Sequence, residues 1–248
     1  RHLRNEQTDR PLIFVGSGTC GLGAGAGSTL DAIRSFLSEY AIEAGIIETG
    51  CIGLCSSEPV VDIQMPGKNR VSFENVTSDK VDRLLSKVMV DGEIPEGYVL
   101  GQYPVEGRDA WPGLMNIKEH PFFKPQDRIV LCNCGIRNPV SIEEYIAAGG
   151  YISYLSTIKS LSPGEVCDIV ESSGLRGRGG GGFPTGRKWK FAREKESDQK
   201  YLICNADEGD PGAFMDRAVI EGDPHRLVEG MAVSAYAIGA SIAYVYIR

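Results

Sequence analysis

Short apolar runs alternate with stretches in which apolar residues return every three to four positions, a pattern of strands and helices in turn. Residues 11–15 read as a strand and 16–28 as a Gly/Ser/Ala loop. Residues 29–44 put Leu30, Ile33, Phe36, Leu37 and Tyr40 on one helical face, with Ser28 as N-cap. A second strand follows at 46–49. Residues 60–65 and 70–73 predict a hairpin around Pro66-Gly67-Lys68-Asn69. Thr77 or Ser78 opens a helix that runs to about Met89. This order predicts a compact α/β unit over residues 1–90, with residues 1–10 frayed.

Residues 91–127 lose the periodicity and gain Gly, Pro and aromatics. They read as an extended linker packing on the following domain, with Phe122 and Phe123 as an apolar anchor. Residues 128–133 predict a strand, 141–148 a helix closed by Gly149-Gly150, and Ser162-Pro163 with Glu165 another helix. Helix resumes at 189–195 and strand at 201–205. A turn and a short helix over 216–221 follow. Residues 224–238 form a helix, and 241–247 read as a buried strand. No internal repeat is visible.

A length of 248 residues suits two domains. With a net charge of −7, nucleic acid and anionic membranes are poor partners. No leader pattern opens the chain, and no stretch matches a membrane span, so a cytoplasmic location is expected. The seven cysteines fall at 20, 51, 55, 132, 134, 167 and 204. Thiols or metal ligands suit a reducing compartment better than disulfides. Cys132, Cys134, Cys167 and Cys204 read as small buried residues, and Trp111, Trp189, His120 and His225 as structural. His2 is expected to be disordered.

The densest chemistry lies in Gly174-Leu-Arg-Gly-Arg-Gly-Gly-Gly-Gly-Phe-Pro-Thr-Gly-Arg-Lys188. Glycines let backbone N–H groups converge on an anion, and Arg176, Arg178, Arg187 and Lys188 add charge suited to phosphate. The run matches neither a Rossmann fingerprint nor a Walker loop. A flexible linker is the plainer alternative. Strand 201–205 ends in Asn205-Ala-Asp-Glu-Gly-Asp210, whose amide and carboxylates suit the hydroxyls and ring of a nucleotide-type cofactor. The other reading is an acidic turn capping the next helix.

These two motifs, with Glu221-Gly-Asp-Pro-His225, resemble the flavoprotein subunit of respiratory complex I and the related diaphorases of NAD-dependent hydrogenases and formate dehydrogenases. The resemblance covers about residues 128–248. It implies the N-terminal part of an FMN-binding, Rossmann-like α/β domain. FMN contacts are implied at Gly177, Arg178, Gly179, Lys188, Asn205, Asp207 and Glu208. NADH contacts are implied at Gly180, Phe183, Phe191 and Asp210. Glu208 and Asp210 stand nearest the chemistry, a hydride passing from NADH to FMN and electrons then leaving singly to iron–sulfur clusters. The family's later flavin segment and [4Fe–4S] cysteines are expected only beyond Arg248, so the chain alone is expected not to be a competent dehydrogenase. Partners implied are NAD(H) and the iron–sulfur subunits of a redox complex, in the cytoplasm or peripheral on the inner face of a bacterial membrane.

Residues 1–90 resemble the thioredoxin-like [2Fe–2S] ferredoxin domain that precedes this module in the soluble diaphorases. That family's ligands come as C-x4-C and C-x3-C. Cys51-Ile-Gly-Leu-Cys55 matches the second pair, and Cys20 the second cysteine of the first. The first falls on Val15. A fourth ligand from elsewhere, loss of the cluster to leave a docking scaffold, and a redox disulfide are all open. A non-catalytic ferredoxin-like docking module is accordingly the alternative to the dehydrogenase reading.

Overall fold

The computed structural model describes residues 2–247; Arg1 and Arg248 lie outside the described residues, as does the side chain of His2. The chain divides into two units, one of residues 1–147 with 218–223, the other of 148–217 with 224–248.

In the first unit, β1 (Leu12–Gly16) runs parallel to β2 (Gly45–Thr49) and antiparallel to β3 (Val61–Gln64), which pairs with β4 (Arg70–Phe73). The sheet order β2-β1-β3-β4 is the thioredoxin-like one, and β5 (Val99–Tyr103) adds a fifth strand beside β4. Two helices precede β2: α1 (Thr19–Gly23) and α2 (Ala26–Glu39). α3 (Ser78–Leu85) follows β4 and passes into a π-helical turn, Ser86–Asp91. Ile13, Val15, Ile63, Val71 and Phe73 of the sheet pack with Leu30, Ile33 and Phe36 of α2 and Val81, Leu84 and Leu85 of α3. Burying these side chains is what holds the helices to the sheet.

Several expectations are corrected here. Residues 16–28 are not one loop, and Ser28 lies inside α2. The entry to α2 is set instead by Gly25 at φ 103°, a left-handed conformation that glycine takes without strain. The helix ends at Glu39 rather than at 44. Residues 91–127 are no linker: they hold β5 and bury Trp111, Ile117 and Phe123 within the first unit. The physical reason is a polar network that composition does not announce. Gln102 Oε1 accepts from Asn69 Nδ2 and from the Trp111 amide, while Trp111 Nε1 donates to the Asn69 carbonyl at 2.9 Å. Residues 128–133 form turns, not a strand; Ile129 and Val130 are exposed and pair with no neighbour strand. α4 (Ile142–Ala147) closes this stretch. Residues near the N-terminus are tied down, since the Asn5 carbonyl accepts from Gln64 and Arg108.

In the second unit, α5 (Ile152–Ser160), α6 (Pro163–Ser172) and α7 (Thr185–Glu194) pack on α9 (Pro224–Ile238). β6 (Tyr201–Ala206) and β7 (Ile242–Ile247) lie parallel, with α9 in the crossover between them. α8 (Met215–Gly222) starts in this unit, and its last residues belong to the first. Ser162 caps α6 in a full capping box with Glu165, as the sequence signal implies. β7 is exposed along its whole length, against the expectation of a buried strand. Its residues are strongly apolar, yet in a two-stranded sheet it is paired along one edge only. Among the described residues, no helix is long and apolar enough to cross a membrane.

Candidate functional site

The Gly-rich run folds into a closed loop leading into α7. Gly177 N donates to Phe183 O, and Thr185 N to Leu175 O, each at 2.9 Å, so the two ends of the run are clamped together. The Arg176 guanidinium donates to Gly182 O and that of Arg178 to Arg176 O. Gly180 and Gly182 adopt φ of 92° and 59°. Built Cβ atoms at Gly179, Gly180 and Gly181 would meet nothing within 4 Å, so the backbone there can be approached without obstruction. This is not the behaviour of a flexible linker: the backbone bonds fix its ends while its glycines leave the approach clear.

Gly186 is buried because α7 crosses α6 there; a Cβ would lie 2.5 Å from Glu171 Cα. That close crossing aims the first turn of α7, which carries Arg187 and Lys188. Lys188 is exposed, and its amide donates to Pro184 O. Phe183 and Phe191 approach with ring centroids 6.4 Å apart, both about half exposed, and the Arg187 guanidinium sits 5.5 Å above the Phe191 ring. Gly177, Arg178, Gly179, Gly180, Phe183, Lys188 and Phe191 thus fall on one loop-and-helix element.

Asn205, Asp207, Glu208 and Asp210 lie at or just past the carboxyl end of β6. Asn205 Oδ1 accepts from the Asp207 amide at 3.2 Å, and Asp210 O from Ala213 N. Glu208 spends both oxygens on the start of α8, accepting from the amides of Asp216 and Arg217 at 3.1 and 3.3 Å. Those bonds run within the turn and to α8, none of them to the Gly-rich loop. Glu208 is therefore first a helix cap here, since carboxylates are favoured at helix N-termini. Burial raises the pKa of the neighbouring Asp216, and the Glu208 charge adds to it. Both α7 and β6 pack on α9, the element these two motifs share.

The three predicted metal ligands converge. Cys20 on α1, Cys51 after β2 and Cys55 in the following turn place their sulfurs within 4.8 Å of one another. Cys51 and Cys55 Sγ are 3.7 Å apart, and Gly53 N donates to Cys51 Sγ at 3.2 Å. Burial pushes the Cys51 thiol far above its ordinary pKa, with the charge of Glu58 next in effect. An ordinary [2Fe–2S] cluster takes four thiolates. Val15, at the position of the first, is wholly buried in the core packed on α2 and α3, so the donor set falls one short. Cys134 and Cys167 are buried as expected, but Cys132 is exposed and Cys204 half-buried.

Sequence reasoning passed over Glu58. It is 5% exposed, and Oε1 has no N–H or O–H donor, while Oε2 accepts from Val60 N at 2.7 Å. Gly16 and Gly21 make room for it, because a Cβ on Gly16 would stand 2.7 Å from Oε2. Burial raises its pKa. The one signal was its place three residues past the C-x3-C pair. Arg70, also missed, is a buried structural cation held by Asp62.

The geometry thus comprises a cysteine triad in the first unit and, in the second, a βαβ unit with a clamped Gly/Arg loop. In comparison with known proteins, residues 170–248 match the family model described as the Nuo51 FMN-binding domain. The chain is 58% identical over 125 residues to NADP-reducing hydrogenase subunit HndC of Solidesulfovibrio fructosivorans, covering 50% of this chain and 25% of that protein. It is 56% identical over 108 residues to an NADH-quinone oxidoreductase subunit of Aquifex aeolicus, covering 44% and 25%. A longer match, 34% identical over 204 residues, reaches NAD-reducing hydrogenase HoxS subunit alpha of Cupriavidus necator, covering 82% of this chain and 30% of that one. The resemblance read from the loop and the acidic turn is thus shown. The chain spans between a quarter and a third of the length of these relatives.

Proposed function

We propose that this chain is part of an NADH dehydrogenase (diaphorase) subunit, in which the loop of residues 174–188 receives the phosphate end of FMN. The observation that carries the reading is the clamped glycine loop, unobstructed at Gly179, Gly180 and Gly181 and feeding the first turn of α7, inside the segment that matches an FMN-binding domain. The residues fit the group. Three glycines leave space where a Cβ would stand, and Arg178 and Lys188 bring cationic donors to the same element.

FMN supplies the hydride-accepting ring and its two separable electrons when bound; the protein supplies placement and electrostatics. Backbone N–H groups of Gly179 and Gly180 would bind phosphate oxygens, with Lys188 neutralising their charge, while Gly177, whose N–H is held by Phe183 O, lines the loop beside them. Phe183 and Phe191 present exposed ring faces that suit the adenine of NADH. Asn205 and Asp207 would hydrogen-bond the flavin side, Asp210 the nicotinamide ribose. Glu208, already bound to the α8 amides, orients the turn that carries them. The partners we infer are NAD(H) and iron–sulfur subunits of a soluble or peripheral redox complex in the cytoplasm.

The test is FMN titration of the chain followed by flavin fluorescence. A lost charged hydrogen bond costs about 1.5–3 kcal/mol, so Lys188→Ala should weaken binding roughly 10- to 150-fold. Unchanged affinity in Lys188→Ala, or no binding by the parent chain, refutes the phosphate assignment.

A further inference from the structure

We infer that the cysteine triad of the first unit is a mononuclear three-thiolate site for one zinc-class cation, not a place for two irons. Three observations carry this. The first is the number of donors: Cys20, Cys51 and Cys55 are the thiols that converge, and Val15 closes the fourth cysteine position with a side chain wholly inside the core.

The second is the spacing. A tetrahedral zinc with Zn–S bonds of about 2.3 Å holds its sulfurs about 3.8 Å apart. Cys51 and Cys55 stand at 3.7 Å, a distance that a pair on one iron would share, so the discriminating thiol is Cys20, which lies within 4.8 Å of both. A two-iron cluster gives each iron its own pair of thiolates, so sulfurs on different irons are spread further than one tetrahedral edge. The Gly53 amide, donating to Cys51 Sγ, suits a thiolate ligand held in place.

The third is Glu58. Its carboxylate is buried beside Cys51, seated against Gly16 and Gly21, with Oε1 lacking an N–H or O–H donor. Three thiolates leave one position of a tetrahedral ion for water. That water would donate to Oε1 and satisfy it. Glu58 is then a positioning residue that holds the fourth ligand rather than a ligand of the metal.

The experiment is metal analysis of the 248-residue chain produced with iron and zinc both supplied, followed by anaerobic exchange with Co(II). The expected result is one zinc per chain, no acid-labile sulfide, and tetrahedral cobalt bands with thiolate charge transfer on exchange. Cys20→Ser, Cys51→Ser and Cys55→Ser should each remove about a third of that charge-transfer intensity, while Cys132→Ser leaves it intact. Glu58→Gln should keep the thiolate bands but weaken metal affinity roughly tenfold or more. Circular dichroism separates metal loss from misfolding in each variant. Two irons and two sulfides per chain with a [2Fe–2S] EPR signal overturn the inference. So does a metal-free chain with a Cys51–Cys55 disulfide, or cobalt bands insensitive to Cys20→Ser.

Discussion

Replacing Arg70 by methionine should be among the most damaging single changes to the first unit. Arg70 is 6% exposed, and its guanidinium donates to Asp62 Oδ2 at 2.6 Å and to the carbonyls of Ile136 and Gly135 at 2.9 and 2.7 Å. It also lies 3.6 Å from the Phe14 ring centroid. Methionine keeps most of the volume and removes the charge. Asp62 is then a buried carboxylate without its counter-ion, and two carbonyls lose a donor. Breaking a buried pair from one side costs about 3–5 kcal/mol. With a urea slope of about 1–3 kcal/mol/M, the midpoint should fall by at least about 1 M. The signal is Trp111 fluorescence in a Trp189→Phe background, since Trp111 is buried in the same unit.

The loss should also depend on pH. Burial holds the Asp62 carboxyl above its ordinary pKa, and Arg70 pulls it back down. Without Arg70 the folded value rises further. A folded pKa above the unfolded one means stability is lost as pH rises through the folded value. The deficit of Arg70→Met should therefore be larger near pH 8 than near pH 5. Adding Asp62→Leu should recover most of it, because removing both charges of a buried pair is often neutral. A loss below about 1 kcal/mol, or one that does not change with pH, refutes the reasoning.

Other outcomes follow from the second unit. Gly186→Ala should cost about 1–3 kcal/mol by overpacking, because its Cβ meets the Glu171 backbone; thermal melting followed by Trp189 fluorescence checks it, and FMN affinity should fall with it. Ser162→Ala should cost about 1 kcal/mol through loss of the α6 cap, measurable by denaturant melts, with little effect on FMN binding. Lys188→Ala, by contrast, should weaken FMN binding while leaving the melting temperature within a degree or two, since its side chain is exposed.

The strands at 12–16, 45–49, 61–64 and 70–73 were legible because apolar runs and turn residues are local signals. So were the α6 capping box and the chemical character of the Gly/Arg loop. The sequence alone also assembled Cys20, Cys51 and Cys55 as a group, from spacing and resemblance. Only the tertiary structure could show that their sulfurs come within 4.8 Å of one another, because that depends on α1 and the turn after β2 folding toward each other. Only it could move residues 91–127 from linker to sheet edge, since β5 is defined by bonds to β4 and by the Gln102 network, both long-range. Glu58, Arg70 and the α8 cap made by Glu208 follow the same rule. A charged side chain's role is set by what desolvates it and what it bonds to, and those neighbours come from distant parts of the chain.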